Sequence, residues 1–314
     1  MPYRLLFLVA LFAPTFALGQ AWTPEPGEVY LKLTQGFANA SERYDAEGTV
    51  VPYDPDTEGT PYRDRSFYLY GEVGLAPSLA LYGTLPYKRL TVRDGGFDPE
   101  VEREASDLGS AVLGLRVGLN ELTGLGERSA LAANFAFTVP LGYRRNFAPT
   151  VGPGQLDLQG LVAYGQSFWP LPAYAQVGLG YRYRTAVFGF SRIVDCPASQ
   201  PDDAPELCVA DAGEEIHYSD EFLAKAEVGY TLFERLLLQG LVDVVWATDT
   251  PQIVESALGV QPEAFPQQRY VRTGLGATFY VFGETGLSVQ AFTAPYARNA
   301  LRAVEVFVGV ETKF

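Results

Sequence analysis

Apolar and polar residues alternate over the last eleven positions of the chain. Val304, Val306, Val308, Val310 and Phe314 share one side with Thr312, while Glu305, Glu311 and Lys313 share the other. A period of two is that of a β-strand with unlike surroundings on its two faces. The pattern recurs upstream. Ala175, Val177, Leu179, Tyr181 and Tyr183 oppose Gln176, Gly178, Gly180, Arg182 and Arg184. Phe222, Ala224, Ala226, Val228 and Tyr230 oppose Lys225, Glu227 and Gly229, and Leu236, Leu238, Val242, Val244 and Trp246 oppose Gln239 and Asp243. Carried along the chain, it predicts twelve strands near 28–38, 66–76, 79–92, 108–119, 129–142, 156–168, 173–186, 221–232, 235–248, 269–281, 286–296 and 300–314.

The connections alternate in length. Pro77-Ser78, Trp169–Pro172, Phe233-Glu234 and Phe282–Thr285 are short, and 120–128 is modest. The intervening segments 39–65, 93–107, 143–155, 187–220 and 249–268 are long and polar, apart from the brief Ala297–Asn299. Short turns at one end and long loops at the other are the habit of transmembrane barrels, and an even strand number returns the chain to its starting side. A soluble sandwich accommodates the alternation, but not the loop asymmetry or the N-terminus.

Arg4 precedes an apolar run, Leu5–Phe16, and the small residues of Ala17-Leu18-Gly19. That run is shorter than the ~20 residues a spanning helix needs, so 1–19 is expected to be a signal peptide and 20–314 a single barrel domain in the bacterial outer membrane. The composition agrees: 39 Tyr and Phe with three Trp suit aromatic girdles, and 32 Gly suit curved strands. One Met and one His leave little for metal or redox chemistry, and no cofactor is expected. The formal charge of −14, or −15 without residues 1–19, argues against nucleic acid. The expected fold is therefore all-β, a transmembrane antiparallel up-and-down barrel of about twelve strands. The aromatic final strand resembles the C-terminal signature of outer-membrane barrels, which implies recognition by barrel-assembly machinery.

Alternation places Lys32, Lys88, Arg116, Arg182, Arg184, Lys225, Arg272 and Lys313 in the lumen against Glu72, Asp157, Glu227, Asp243, Glu305 and Glu311. Such near balance favours cross-barrel ion pairs, because isolated charges in a narrow interior are costly. Twelve strands lie between side-chain-filled barrels of eight and open porins of sixteen. A constricted interior is expected. A change on the lipid side, such as Val308→Arg, should harm folding far more than a lumen change such as Gly309→Ser.

Cys196 and Cys208 share the longest loop, and a disulfide there would contribute ~3 kcal/mol by chain entropy. His217 stands near Ser219 and Asp220, but neighbours on an extended chain point apart, and enzyme activity is not expected. Nine acids between Asp195 and Glu221, and Asp94, Asp98, Glu100, Glu102, Glu104 and Asp107 in another loop, make an acidic outer surface. It reads as a solvated, repulsive surface, or as carboxylates bridged by Ca²⁺ or Mg²⁺ to lipopolysaccharide. No EF-hand spacing names metal ligands.

Thr84-Leu85-Pro86-Tyr87, Thr138-Val139-Pro140-Leu141 and Thr293-Ala294-Pro295-Tyr296 each place a proline in the outer part of a strand. Proline lacks the N–H that a closed ladder needs, so each site is a rim, a bulge or a gap. As gaps, Pro86, Tyr87, Pro140, Pro295 and Tyr296 would mark a lateral exit for apolar solutes.

Tyr70–Tyr87, followed by Ser106-Asp107-Leu108-Gly109-Ser110, resembles outer-membrane transporters of the phenol-degradation MetA-pathway type over about residues 67–185. That resemblance implies passage of small hydrophobic or aromatic compounds and supplies no catalytic residues. The leading expectation is a monomeric barrel passing small solutes and surrounded by outer-membrane lipid and lipopolysaccharide. The alternatives are a non-transporting surface barrel whose acidic loops bind cations, lipopolysaccharide or a partner, and a rim hydrolase using His217.

Overall fold

The structure, a computed structural model, describes residues 21–54, 57, 59–94, 101–142, 149–185, 218–250 and 267–314. The expected signal peptide, Cys196, Cys208 and His217 lie outside these residues. The described strands are β1 (Val29–Tyr44), β2 (Val50–Pro52), β3 (Tyr62–Asp64), β4 (Phe67–Ala76), β5 (Leu79–Asp94), β6 (Val101–Leu108), β7 (Ser110–Gly118), β8 (Ser129–Pro140), β9 (Asp157–Ser167), β10 (Ala173–Arg184), β11 (Glu221–Leu232), β12 (Leu236–Ala247), β13 (Arg269–Phe282), β14 (Thr285–Arg298) and β15 (Ala300–Lys313). Each pairs antiparallel with its neighbours, and β15 returns to β1. β3 and β4 make one interrupted stave, β6 and β7 another, and β2 pairs with the outer end of β1. The result is a closed antiparallel barrel of twelve staves.

Closure runs from Tyr30↔Lys313 to Tyr44↔Ala300, and Val29 and Phe314 exchange backbone hydrogen bonds of 2.8 and 2.9 Å. The terminal phenylalanine is therefore the last rung of the ring.

Burial is inverted relative to a water-soluble sheet. On β12, Gln239 and Asp243 are buried while Leu238, Val242 and Trp246 are exposed. On β11, Glu221 and Glu227 are buried while Phe222, Val228 and Tyr230 are exposed. Leu179 and Leu275 are 69% and 75% exposed. Only lipid makes such a surface favourable. Exposed aromatics gather near both ends: Phe168, Trp169, Phe233, Phe282 and Phe314 at the short turns, and Tyr87, Tyr183, Phe222, Trp246 and Tyr296 toward the long loops.

The strands extend further outward than the polarity of the sequence suggests. β1 continues to Tyr44, β2 and β3 lie within the expected loop 39–65, and β5 and β6 reach into 93–107 from its two ends. Beyond the bilayer the outer face is wet, so charged residues replace apolar ones there. Leu90 is fully buried while Arg89 and Arg93 bind Glu104 and Glu102 across the ladder at 2.7 and 3.0 Å. Those two glutamates already have cationic partners. At the other end, a helical turn α1 (Asn120–Thr123) closes on Gly124, and Phe233 and Glu234 make a two-residue turn with positive φ at both positions.

One expectation needs correction. A Cβ at Gly309 would lie 2.9 Å from the Leu33 carbonyl oxygen and from Thr34 Oγ1, so Gly309→Ser is not a mild lumen change.

Candidate functional site: the lumen and its wall

Each basic residue assigned to the interior by alternation has an acidic partner. Lys32 binds Glu311 at 2.9 Å, and Arg116 binds Glu72 in a pair whose side chains are 5% exposed or less. Lys225, Asp243, Arg272 and Glu305 form a chain of contacts of 3.9, 2.5 and 2.8 Å along one wall, with the Arg272 guanidinium 4.7 Å above the Phe292 ring. Arg182 and Arg184 converge on Glu221 at 2.7 and 3.0 Å, and Arg184 also approaches Asp157 at 3.6 Å. Lys88 reaches Asp64 at 3.9 Å and Lys313 reaches Glu28 at 3.0 Å. Asp64, Glu221 and Glu28 are the partners that alternation did not supply. Glu28 and Glu221 stand at the first positions of the expected strands 28–38 and 221–232, and Asp64 ends β3 inside the expected loop 39–65.

Glu227 accepts hydrogen bonds from the Tyr174 hydroxyl, from Gln176 at 2.8 Å and from Gln239 at 2.8 Å. Tyr30, Tyr70 and Tyr82 pack around Ala136, with Tyr70 donating to Glu72 at 2.7 Å. Arg116, Tyr62, Tyr70, Lys32 and Leu90 are each under 2% exposed. Side chains of that size would touch water in an open pore. Here they are enclosed by neighbouring side chains: Tyr62 packs with Leu90, Tyr70 packs with Tyr30 and Tyr82, and Lys32 and Arg116 bind Glu311 and Glu72.

The short-turn mouth is crossed by a segment the strand pattern passes over. Ala21–Pro26 carries two prolines and no alternation, yet Trp22 lies inside the barrel. The Ala21 amide donates to Gln176 at 3.3 Å, Arg116 donates to the Trp22 carbonyl at 2.9 Å, and the Trp22 ring meets Tyr174 edge-on at 6.0 Å. Ala21 packs with Ala130, Leu161 and Ala163. Two inward glycines make room: a Cβ on Gly74 would stand 2.0 Å from the Glu25 carbonyl oxygen, and one on Gly165 would stand 2.5 Å from the Trp22 ring. A tryptophan three residues beyond the expected signal peptide was the available signal. Trp22→Ala should raise single-channel conductance severalfold in planar bilayers, whereas unchanged conductance would show that this strap does not limit the axial path.

At the outer mouth, Tyr53 and Val151 fold in against Ala40, Tyr62 and Leu90. Ser219 is buried and shares its hydroxyl with Thr248 at 3.0 Å, while Asp220 accepts from Tyr181 at 2.7 Å and from the Arg184 amide at 2.8 Å. Both residues are taken up in wall contacts.

The three prolines meet different fates. Pro86 occupies an irregularity where β5 leaves β7 after Thr84 and joins β6 at Tyr87, and its carbonyl accepts from Gly109 at 3.0 Å. Pro140 is the last residue of β8, paired with Ser110 but beyond the last β9 rung at Thr138. Pro295 lies in a register shift against β13. Beside it the β14–β15 ladder ends at Thr293↔Val304, although the hairpin turns only at Asn299. A groove of about 500 Å³ opens at this place, lined by Phe37, Asn39, Thr293, Val304 and Val306, by Ala38, Ser41 and Ala303, and at its outer side by the Glu42–Arg302 ion pair. The Tyr44 hydroxyl reaches the Ala294 carbonyl at 2.9 Å.

A closed twelve-stave barrel with an apolar exterior, aromatic girdles and a salt-bridged interior has one natural setting. The chain superposes on the COG4313 outer membrane channel from Pseudomonas putida F1 with a TM-score of 0.69 at 12% identity, over 96% of this chain and 100% of that one. This is a bacterial outer-membrane β-barrel. The NanC porin matches with a TM-score of 0.51 at 6% identity, over 90% of this chain and 100% of that one. The KdgM porin in complex with disordered oligogalacturonate matches at 0.50 and 5% identity, over 91% and 99%. At such identities the likeness concerns the fold. No protein-family model and no curated protein matches the chain.

Proposed function

We propose that this barrel passes small hydrophobic or aromatic solutes, which leave sideways through the wall near Pro295 and Tyr296. The observation that carries this reading is the end of the β14–β15 ladder at Thr293↔Val304 beside a groove that reaches the inward-facing Ala38 and Ala303. A closed barrel in lipid normally satisfies every rung, so missing rungs mark the weakest part of its wall. The axial route suits an apolar solute poorly. It is crossed by the Trp22 strap and lined by paired charges. Acids and bases alternate along one wall, as in Lys225–Asp243–Arg272–Glu305, and so neutralise one another locally. The resemblance to phenol-type transporters points the same way. Pro86 and Pro140, at a closed irregularity and a strand end, are secondary candidates.

A reversible cross-link tests the exit. Cysteines replacing Ala294 and Ala303, the next pair in register, would tie the splayed strands together when oxidised. Uptake of a naphthalene-based fluorescent probe into proteoliposomes should fall severalfold on oxidation and recover on reduction, with wild-type protein unaffected by either treatment. Equal uptake in both states would overturn the sideways route.

A further inference from the structure

The outward face of β12–β14 near the long loops carries two arginines that the transport reading does not use. Arg269 of β13 lies directly opposite Trp246 of β12 and directly opposite Arg298 of β14, so the three share the lipid-facing side. Like charges facing one another across a ladder are destabilising unless something neutralises them. Among the described residues neither guanidinium is in an ion pair. Arg269 donates Nε and Nη2 to the backbone carbonyls of Ala247 and Asp249 at 3.1 and 2.9 Å, and Arg298 Nε is buried with no hydrogen-bond partner. In a chain with 37 acids and a charge of −14, two opposed arginines with no carboxylate partner among the described residues are conspicuous.

Their surroundings identify the missing anion. The Arg269 guanidinium lies 5.1 Å above the Trp246 ring, and Trp246 stacks on Tyr296 at 6.0 Å with an interplanar angle of 9°. Phe222 is the next residue round the wall, directly opposite Trp246. This is the aromatic girdle at the outer-leaflet end, the level at which lipid headgroups lie. The ring holds Arg269 in place, and a guanidinium so fixed loses little freedom when it binds a tetrahedral oxyanion.

We propose that Arg269 and Arg298 together bind a phosphate of lipopolysaccharide, the phosphorylated glycolipid of the outer leaflet. Its acyl chains would descend over Tyr296 and the exposed Val242 and Leu275. No divalent cation is required.

The test uses refolded, lipopolysaccharide-free protein titrated with bisphosphorylated lipid A and followed by native mass spectrometry. The double variant Arg269→Gln/Arg298→Gln should bind about tenfold more weakly or worse, a loss equivalent to one charge-assisted hydrogen bond or more. Wild-type protein should lose as much when the probe is dephosphorylated lipid A, an arm that needs no variant and so stands even if the double variant folds poorly. Undiminished binding of dephosphorylated lipid A would overturn the site, as would undiminished binding by a folded double variant. Equal affinity for phosphatidylglycerol would overturn the assignment to lipopolysaccharide.

Discussion

Arg116→Met should destabilise the barrel by about 3–5 kcal/mol, because it leaves the Glu72 carboxylate buried without its cation. Both side chains are almost fully enclosed, so water cannot replace the lost partner. The same guanidinium also donates to Asn134 at 2.9 Å and to the Trp22 carbonyl, and its loss removes both of these contacts. The double variant Arg116→Met/Glu72→Gln should recover much of the stability, since no unpaired charge then remains. Urea titrations in lipid vesicles, followed by tryptophan fluorescence, give the three midpoints. If the double variant is no more stable than the single one, the cost comes from packing rather than from a stranded charge. The single variant should also conduct more than wild type, because Arg116 ties the strap to the wall.

Val308→Arg should cost about 2–4 kcal/mol, the penalty for a cation on the lipid face near the midplane. Val308 is half exposed and stands between Gln35 and Val289 in the ladders on its two sides. Ser288→Ala, on the buried face of the adjoining stave, is the appropriate comparison in place of Gly309→Ser, and should fold nearly as wild type. Heat-modifiable gel mobility reports the folded fraction. Equal folding yields for Val308→Arg and Ser288→Ala would contradict the outward assignment of Val308.

The barrel was legible in the sequence because a period of two is a local property. Val304 to Phe314 state which residues share a face whatever lies beside them, and Pro77-Ser78 and Phe233-Glu234 show where the chain must reverse. The outer extensions were harder to see. Glu102-Arg103-Glu104-Ala105-Ser106 lies in the expected loop 93–107 yet forms part of β6, because outside the membrane an exposed strand face and a loop are both polar. Ala21–Pro26 was illegible for another reason. It makes no ladder, and its place in the lumen depends on Gly74 and Gly165, which are distant in sequence and adjacent only once the staves close.

Partner choice and wall continuity belong to the tertiary structure. Parity assigns Arg182, Arg184 and Glu311 to a side, but whether an acid lies 3 Å or 15 Å away depends on register and shear around the ring. Thus Glu221 rather than a strand-interior acid holds Arg182 and Arg184, and Lys32 meets Glu311 only because β1 pairs with β15. Likewise, three prolines with the same local sequence became a strand irregularity, a strand end and the border of an open groove. A missing N–H is a local fact. Whether it leaves a hole depends on how the neighbouring strands diverge, and only the closed barrel decides that.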